Sequence, residues 1–111
     1  MSIVRVAVIQ AGGQYLVRPP LVFLLRNPAA PQADQLRISN HTGYALQIGA
    51  SGEWPFSAVP PQGLDPGGQL TLNLAGGVDK GMYTYQVMVQ VGQKQVRAIG
   101  NSDPVIIVED P

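Results

Sequence analysis

Two stretches of strict alternation set the limits on what this chain can become. From Gln69 to Leu74, the residues Leu70, Leu72 and Leu74 fall on one side and Gln69, Thr71 and Asn73 on the other. Tyr83, Tyr85, Val87, Val89 and Val91 repeat the pattern, opposed by Thr84, Gln86, Met88 and Gln90. A period of two is that of a strand with one face buried and one wet. A helix would need apolar residues at i, i+3 and i+4, and no window of useful length supplies them. Thirteen glycines and ten prolines interrupt the chain at short intervals, leaving room for short strands and turns between them.

Other segments fit the same scheme. Ile3 to Ile9 sets Val4, Val6 and Val8 against Arg5, and Leu21 to Arg26 is apolar on both faces, as a covered strand would be. Leu36 to Ser39 and Tyr44 to Ile48 flank the turn Asn40-His41-Thr42-Gly43. Val96 to Ile99 returns from a hairpin near Gly92-Gln93, and Val105 to Val108 forms a last strand entered from Pro104. Gly12-Gly13 and Gly76-Gly77 read as hairpin turns. The expected architecture is all-β: a single antiparallel β-sandwich of Greek-key type with about seven to nine strands. A chain of 111 residues holds one such domain, spanning 1–111.

The charges narrow the partners. Seven basic and seven acidic residues cancel, and the basic ones are scattered singly apart from Lys94 and Arg97. Nucleic-acid binding needs several cations on one face, so no nucleic-acid partner is expected, and the same scatter argues against docking on anionic lipid. Charged residues make up 13% of the chain, about half the usual share, which hints that some surface is covered by another molecule. Apolar runs such as Leu21 to Leu25 are too short to span a bilayer. The start Met1-Ser2-Ile3-Val4-Arg5 lacks a signal-peptide pattern, so the expectation is a soluble, cytoplasmic protein.

One segment stands outside the alternation. Gly49 to Gly68 reads GASGEWPFSAVPPQGLDPGG, rich in glycine and proline and long enough to suggest a binding loop. It holds the only tryptophan, Trp54, beside Pro55 and Phe56. Those aromatics either plug an open end of the sandwich or contact a partner, since exposed tryptophan is favoured at interface hot spots.

Leu70-Thr71-Leu72 followed by Asp79-Lys80-Gly81-Met82-Tyr83-Thr84-Tyr85 resembles the L-x-L strand and D-x-G-x-Y-x-C run of immunoglobulin-like domains. The resemblance implies that Tyr83 is a corner tyrosine tying its hydroxyl to nearby backbone, with Tyr85 where the disulfide cysteine would stand. More of the chain, most of residues 15–108, is similar to the cupredoxin-like family. The matching stretches are Val17 to Leu25 around Pro19-Pro20, Leu36 to Gly43, Asp65 to Leu70, Gly81 to Tyr85, and Ser102 to Val108. The family's copper site does not carry over. Blue copper needs two histidines and a cysteine thiolate; the chain has no cysteine, and neither Tyr44 to Gln47 nor Gly92 to Asn101 supplies a histidine.

Other chemistries lack parts. His41 is the only histidine and sits in a turn, so a hydrolytic triad has no base beyond it. A carboxylate pair would have to come from Asp34, Glu53, Asp65, Asp79, Asp103, Glu109 and Asp110, most of which flank glycine or proline, where aspartate serves turn geometry. No zinc spacing, calcium loop or phosphate-cradling glycine loop is present. Asn40-His41-Thr42 fits the glycosylation sequon formally. The expectation is therefore a non-catalytic structural or protein-interaction module without cofactor or metal. Its partner would be protein: itself, as a homo-oligomer, or a larger assembly. The candidate contact residues are Trp54, Pro55, Phe56 and Tyr44. The alternative is a module for a small ligand such as a carbohydrate, using the 49–68 loop with Asn40 and His41.

Overall fold

The computed structural model describes residues 2–26, 33–98 and 103–110. Alternating burial builds ten strands among them: β1 (Ile3–Ala11), β2 (Gln14–Arg18), β3 (Leu21–Leu25), β4 (Gln35–Asn40), β5 (Leu46–Ala50), β6 (Gln62–Leu64), β7 (Gln69–Asn73), β8 (Gly81–Val91), β9 (Lys94–Arg97) and β10 (Val105–Glu109). They form two sheets. One has four strands in the order β2-β1-β4-β7; the other has six, in the order β3-β10-β8-β5-β6, with β9 also paired to β8.

The expectation of a purely antiparallel sandwich of seven to nine strands needs correcting. β1 runs parallel to β4, with Ile3 opposite Gln35 and Val8 opposite Asn40, and β3 runs parallel to β10, with Leu21 opposite Val105. Both sheets are therefore mixed. Alternation states which face of a strand is buried and is silent on the direction of its neighbour. The added strand is β6, three residues inside the long loop, where Leu64 pairs with Leu46 of β5. The strand expected at Val96 to Ile99 occupies Lys94–Arg97; Ile99, Asn101 and Ser102 lie outside the described residues.

The core is the space between the two inner faces. Val6, Val8, Leu36, Ile38 and Leu72 from the first sheet meet Leu24, Leu46, Ile48, Tyr85, Val87, Val89 and Ile106 from the second, and all of these are at most 2% exposed. The alternation in β7 and β8 thus points its apolar half inward, as the sequence predicts. At the β1–β2 hairpin, Ala11 pairs with Gln14 across Gly12 and Gly13, whose φ values of 58° and 79° are those of a type I′ turn that only glycine adopts freely.

A buried polar hub fixes one end of the sandwich. Asn40 is 1% exposed. Its Nδ2 donates to the carbonyls of Tyr44 (2.7 Å), Asp65 (3.1 Å) and Leu64 (3.3 Å). Its Oδ1 accepts from the backbone N–H (2.9 Å) and the hydroxyl (2.7 Å) of Thr42. One side chain thereby ties the β4–β5 turn to the β6–β7 connection. The amide of the formal sequon is consumed inside the fold.

Candidate functional site

The structure places Trp54, Pro55 and Phe56 together at one end of the sandwich. Phe56 bridges to Leu74 just beyond β7 and is 4% exposed; Pro55 is buried and Trp54 half-buried. The two aromatic rings meet edge to face at 5.2 Å, and the Trp54 indole N–H donates to the Ala58 carbonyl at 2.6 Å. Tyr44 lies at the opposite end, beside Asn40, 36% exposed and edge-on to Tyr15 at 6.1 Å. The four candidates therefore form no common surface. Within the loop, Val59 is the most prominent large apolar side chain left in solvent, at 78% exposure.

A different surface emerges at the other edge. Leu21 to Arg26, expected to be covered on both faces, is covered on one. Val22 and Leu24 enter the core, while Leu21, Phe23 and Leu25 are 43%, 51% and 40% exposed. The reason is the sheet order: β3 is an edge strand and no described element lies over its outer face. The register continues the apolar row inward, Phe23 standing opposite Ile107 and Ile107 opposite Met82. Met82 is 71% exposed. Leu21 stands beside Val105 and Leu25 beside Glu109.

Together the four exposed side chains open on the order of 400 Å² of mostly apolar surface, within the range of the largest patch on an ordinary monomer, which is often functional. Charges of both signs rim it at the β10 end. There a shallow depression is lined by Lys80, Gly81, Ile107, Val108, Glu109 and Asp110. Arg26 Nε donates to Asp110 at 2.7 Å and Nη1 to the Val78 carbonyl at 2.6 Å, and the guanidinium holds the Asp110 carboxyl below the usual carboxylate range. The sequence signal for this face is the lack of any polar residue from Leu21 to Leu25: a doubly apolar strand needs two covers.

Strand β8 carries the two tyrosines singled out by resemblance. Tyr83 donates its hydroxyl to the Asp79 carbonyl at 2.7 Å, four residues upstream, the bond expected of a corner tyrosine. Burial pushes the Tyr83 phenol up, with the charges of Asp79 and Glu53 adding to it and Arg26 opposing. Burial raises Tyr85 further. Both phenols thus ionise more easily in the unfolded chain, at about pH 10, so the stability they contribute is complete below that value and is lost as pH rises through their folded values. Urea unfolding is expected to give constant stability from neutral pH to about pH 9 and then a decline of up to roughly 1.4 kcal/mol per pH unit for each phenol. Tyr85→Phe should flatten that decline; an unchanged alkaline slope would contradict it.

Among the described residues no group of three or more His, Cys, Asp or Glu side chains is placed to hold a metal ion, and no helix is long and apolar enough to cross a membrane. His41 is exposed in its turn, its backbone N–H donating to the Val8 carbonyl. No family model matches the chain, and no curated protein matches it in sequence.

Proposed function

We propose that this chain is a non-catalytic structural or protein-interaction module, a self-associating subunit of a larger assembly, built on a Greek-key sandwich of cupredoxin-like type without copper. The observation that carries the reading is the uncovered face of β3, β10 and β8, where Leu21, Phe23, Leu25 and Met82 stand in solvent. Exposed alone, such a face has no role in stabilising the fold; against the same face of another copy it is desolvated at no charge cost, because its centre carries no ionisable group. The contact site accordingly moves from the Trp54 loop, whose aromatics are engaged in packing, to this sheet face.

The mass in solution tests it. Light scattering at rising protein concentration is expected to give multiples of the chain mass. Met82→Lys, at a side chain 71% exposed, should weaken association at least a hundredfold, because two ammonium groups would be buried in the contact. Trp54→Ala should leave the mass unchanged. A strict monomer at millimolar concentration, or a Met82→Lys variant with undiminished mass, would sink the reading.

A further inference from the structure

The edge of β3 carries information that its face does not. Val105 donates its N–H to the Pro20 carbonyl, and Arg26 its N–H to the Glu109 carbonyl, each at 2.8 Å. The even-numbered residues of this segment therefore turn their backbone groups toward β10, and the odd-numbered ones turn theirs to the open edge. At Leu25 that edge is taken. Its N–H donates to Asp34 Oδ2 at 2.9 Å and its carbonyl accepts the Asp34 N–H at 2.9 Å. Pro19 has no N–H to offer. Leu21 and Phe23 remain, and among the described residues β3 pairs with β10 alone.

We infer that a second copy of the chain occupies this edge, its β3 pairing antiparallel with the first about a two-fold axis at Val22. The blocked positions set the register. An axis at Phe23 would set Leu21 against Leu25, whose groups Asp34 holds; an axis at Leu21 would set Phe23 against Pro19. With the axis at Val22, Leu21 and Phe23 of one copy face Phe23 and Leu21 of the other, each pair exchanging two backbone hydrogen bonds. Pro19 then falls opposite Leu25, and neither has a free N–H to give, so the ladder is confined to Leu21 and Phe23 and ends where Asp34 fills the edge. The aromatic and aliphatic side chains of each pair then touch across the strands on the outer face.

Buried area sets the size of the assembly. Edge pairing alone falls short of the roughly 1,200 Å² that a specific interface buries, but it fuses two apolar faces into one of on the order of 800 Å², more than a soluble unit leaves open. Two such pairs stacked face to face cover it, giving four copies with closed symmetry. The inference rests on the contact-face reading for that second step, and the edge contact is separable from it.

The chain contains no cysteine, so a single introduced thiol reports one contact. Val22 and its symmetry mate form a non-hydrogen-bonded pair with Cα atoms about 4.5 Å apart, within disulfide range. Leu24 and its mate lie about 13 Å apart along the strands and serve as the control. In the Met82→Lys background, where the face contact is weakened, Val22→Cys is expected to oxidise to a covalent dimer and Leu24→Cys to stay monomeric. Hydrogen exchange on the cysteine-free chain gives an independent reading: the Leu21 and Phe23 amides should exchange at least tenfold more slowly at high than at low protein concentration. No Val22 cross-link together with concentration-independent exchange, or equal cross-linking through Leu24, overturns the edge pairing while leaving the face reading intact. A Met82→Lys variant that keeps the full wild-type mass overturns the face reading instead.

Discussion

Asn40→Asp is expected to remove about 3–5 kcal/mol of stability at neutral pH, enough to threaten a fold of ordinary stability. The substitution changes few atoms. It replaces an amide that donates to three carbonyl oxygens with a carboxylate oxygen pointing at the same three, in a site 1% exposed to solvent. Asn40→Ala should cost less, about 2–3 kcal/mol, because it leaves groups unpaired without forcing like charges together. The two differ in their response to acid. A carboxyl in that site has a folded pKa above its unfolded value of about 4, so its penalty is absent below that pH and grows as pH rises. Urea unfolding at neutral pH and near pH 3.5 should show Asn40→Asp recovering most of its deficit; equal losses for both variants at both pH values would refute the assigned role of the amide.

Asp34→Ala should lower stability by about 2–3 kcal/mol and Tm by roughly 10 °C. Asp34 is 8% exposed and accepts from the backbone N–H groups of Ser2 at 2.8 Å and Leu25 at 2.9 Å. Its carboxylate fastens the start of β1 in one sheet to the end of β3 in the other, so its removal loosens both sheets at one end. Asp34→Asn, which keeps one acceptor oxygen, should lose about half as much. Calorimetry of the three proteins, with amide exchange at Leu25, measures this; a Tm for Asp34→Ala within a degree or two of the parent would refute it.

What the sequence discloses depends on contrast between the two faces of each strand. Leu70, Leu72 and Leu74, and Tyr83 through Val91, stand out because water lies on one side and core on the other. Tyr83 can be assigned its bond to nearby backbone because the motif around it encodes a turn at Asp79 to Gly81. Strand direction leaves no trace: nothing in Ile3 to Ile9 distinguishes a parallel neighbour such as β4 from an antiparallel one. β6 is hidden because three residues carry too little pattern inside a loop of glycine and proline. For Trp54, Pro55 and Phe56, the composition of a plug and that of a displayed contact are the same; burial of Phe56 separates them, and burial is a tertiary property. The Leu21–Leu25 face escapes for a related reason. An apolar stretch states that both sides want cover, and it does not state whether the chain itself supplies it.

The parallel pairing of β3 with β10 also has a consequence in time. Leu21–Leu25 is synthesised about eighty residues ahead of Val105–Glu109, so the most apolar strand waits through that interval before its ladder partner exists. Closing so long a loop before any bond rewards it is slow. Throughout that interval an apolar strand with both edges open is available to any neighbour, including the same strand on an adjacent nascent chain. The surface proposed for the assembly of finished copies is thus also the one through which unfinished copies would aggregate.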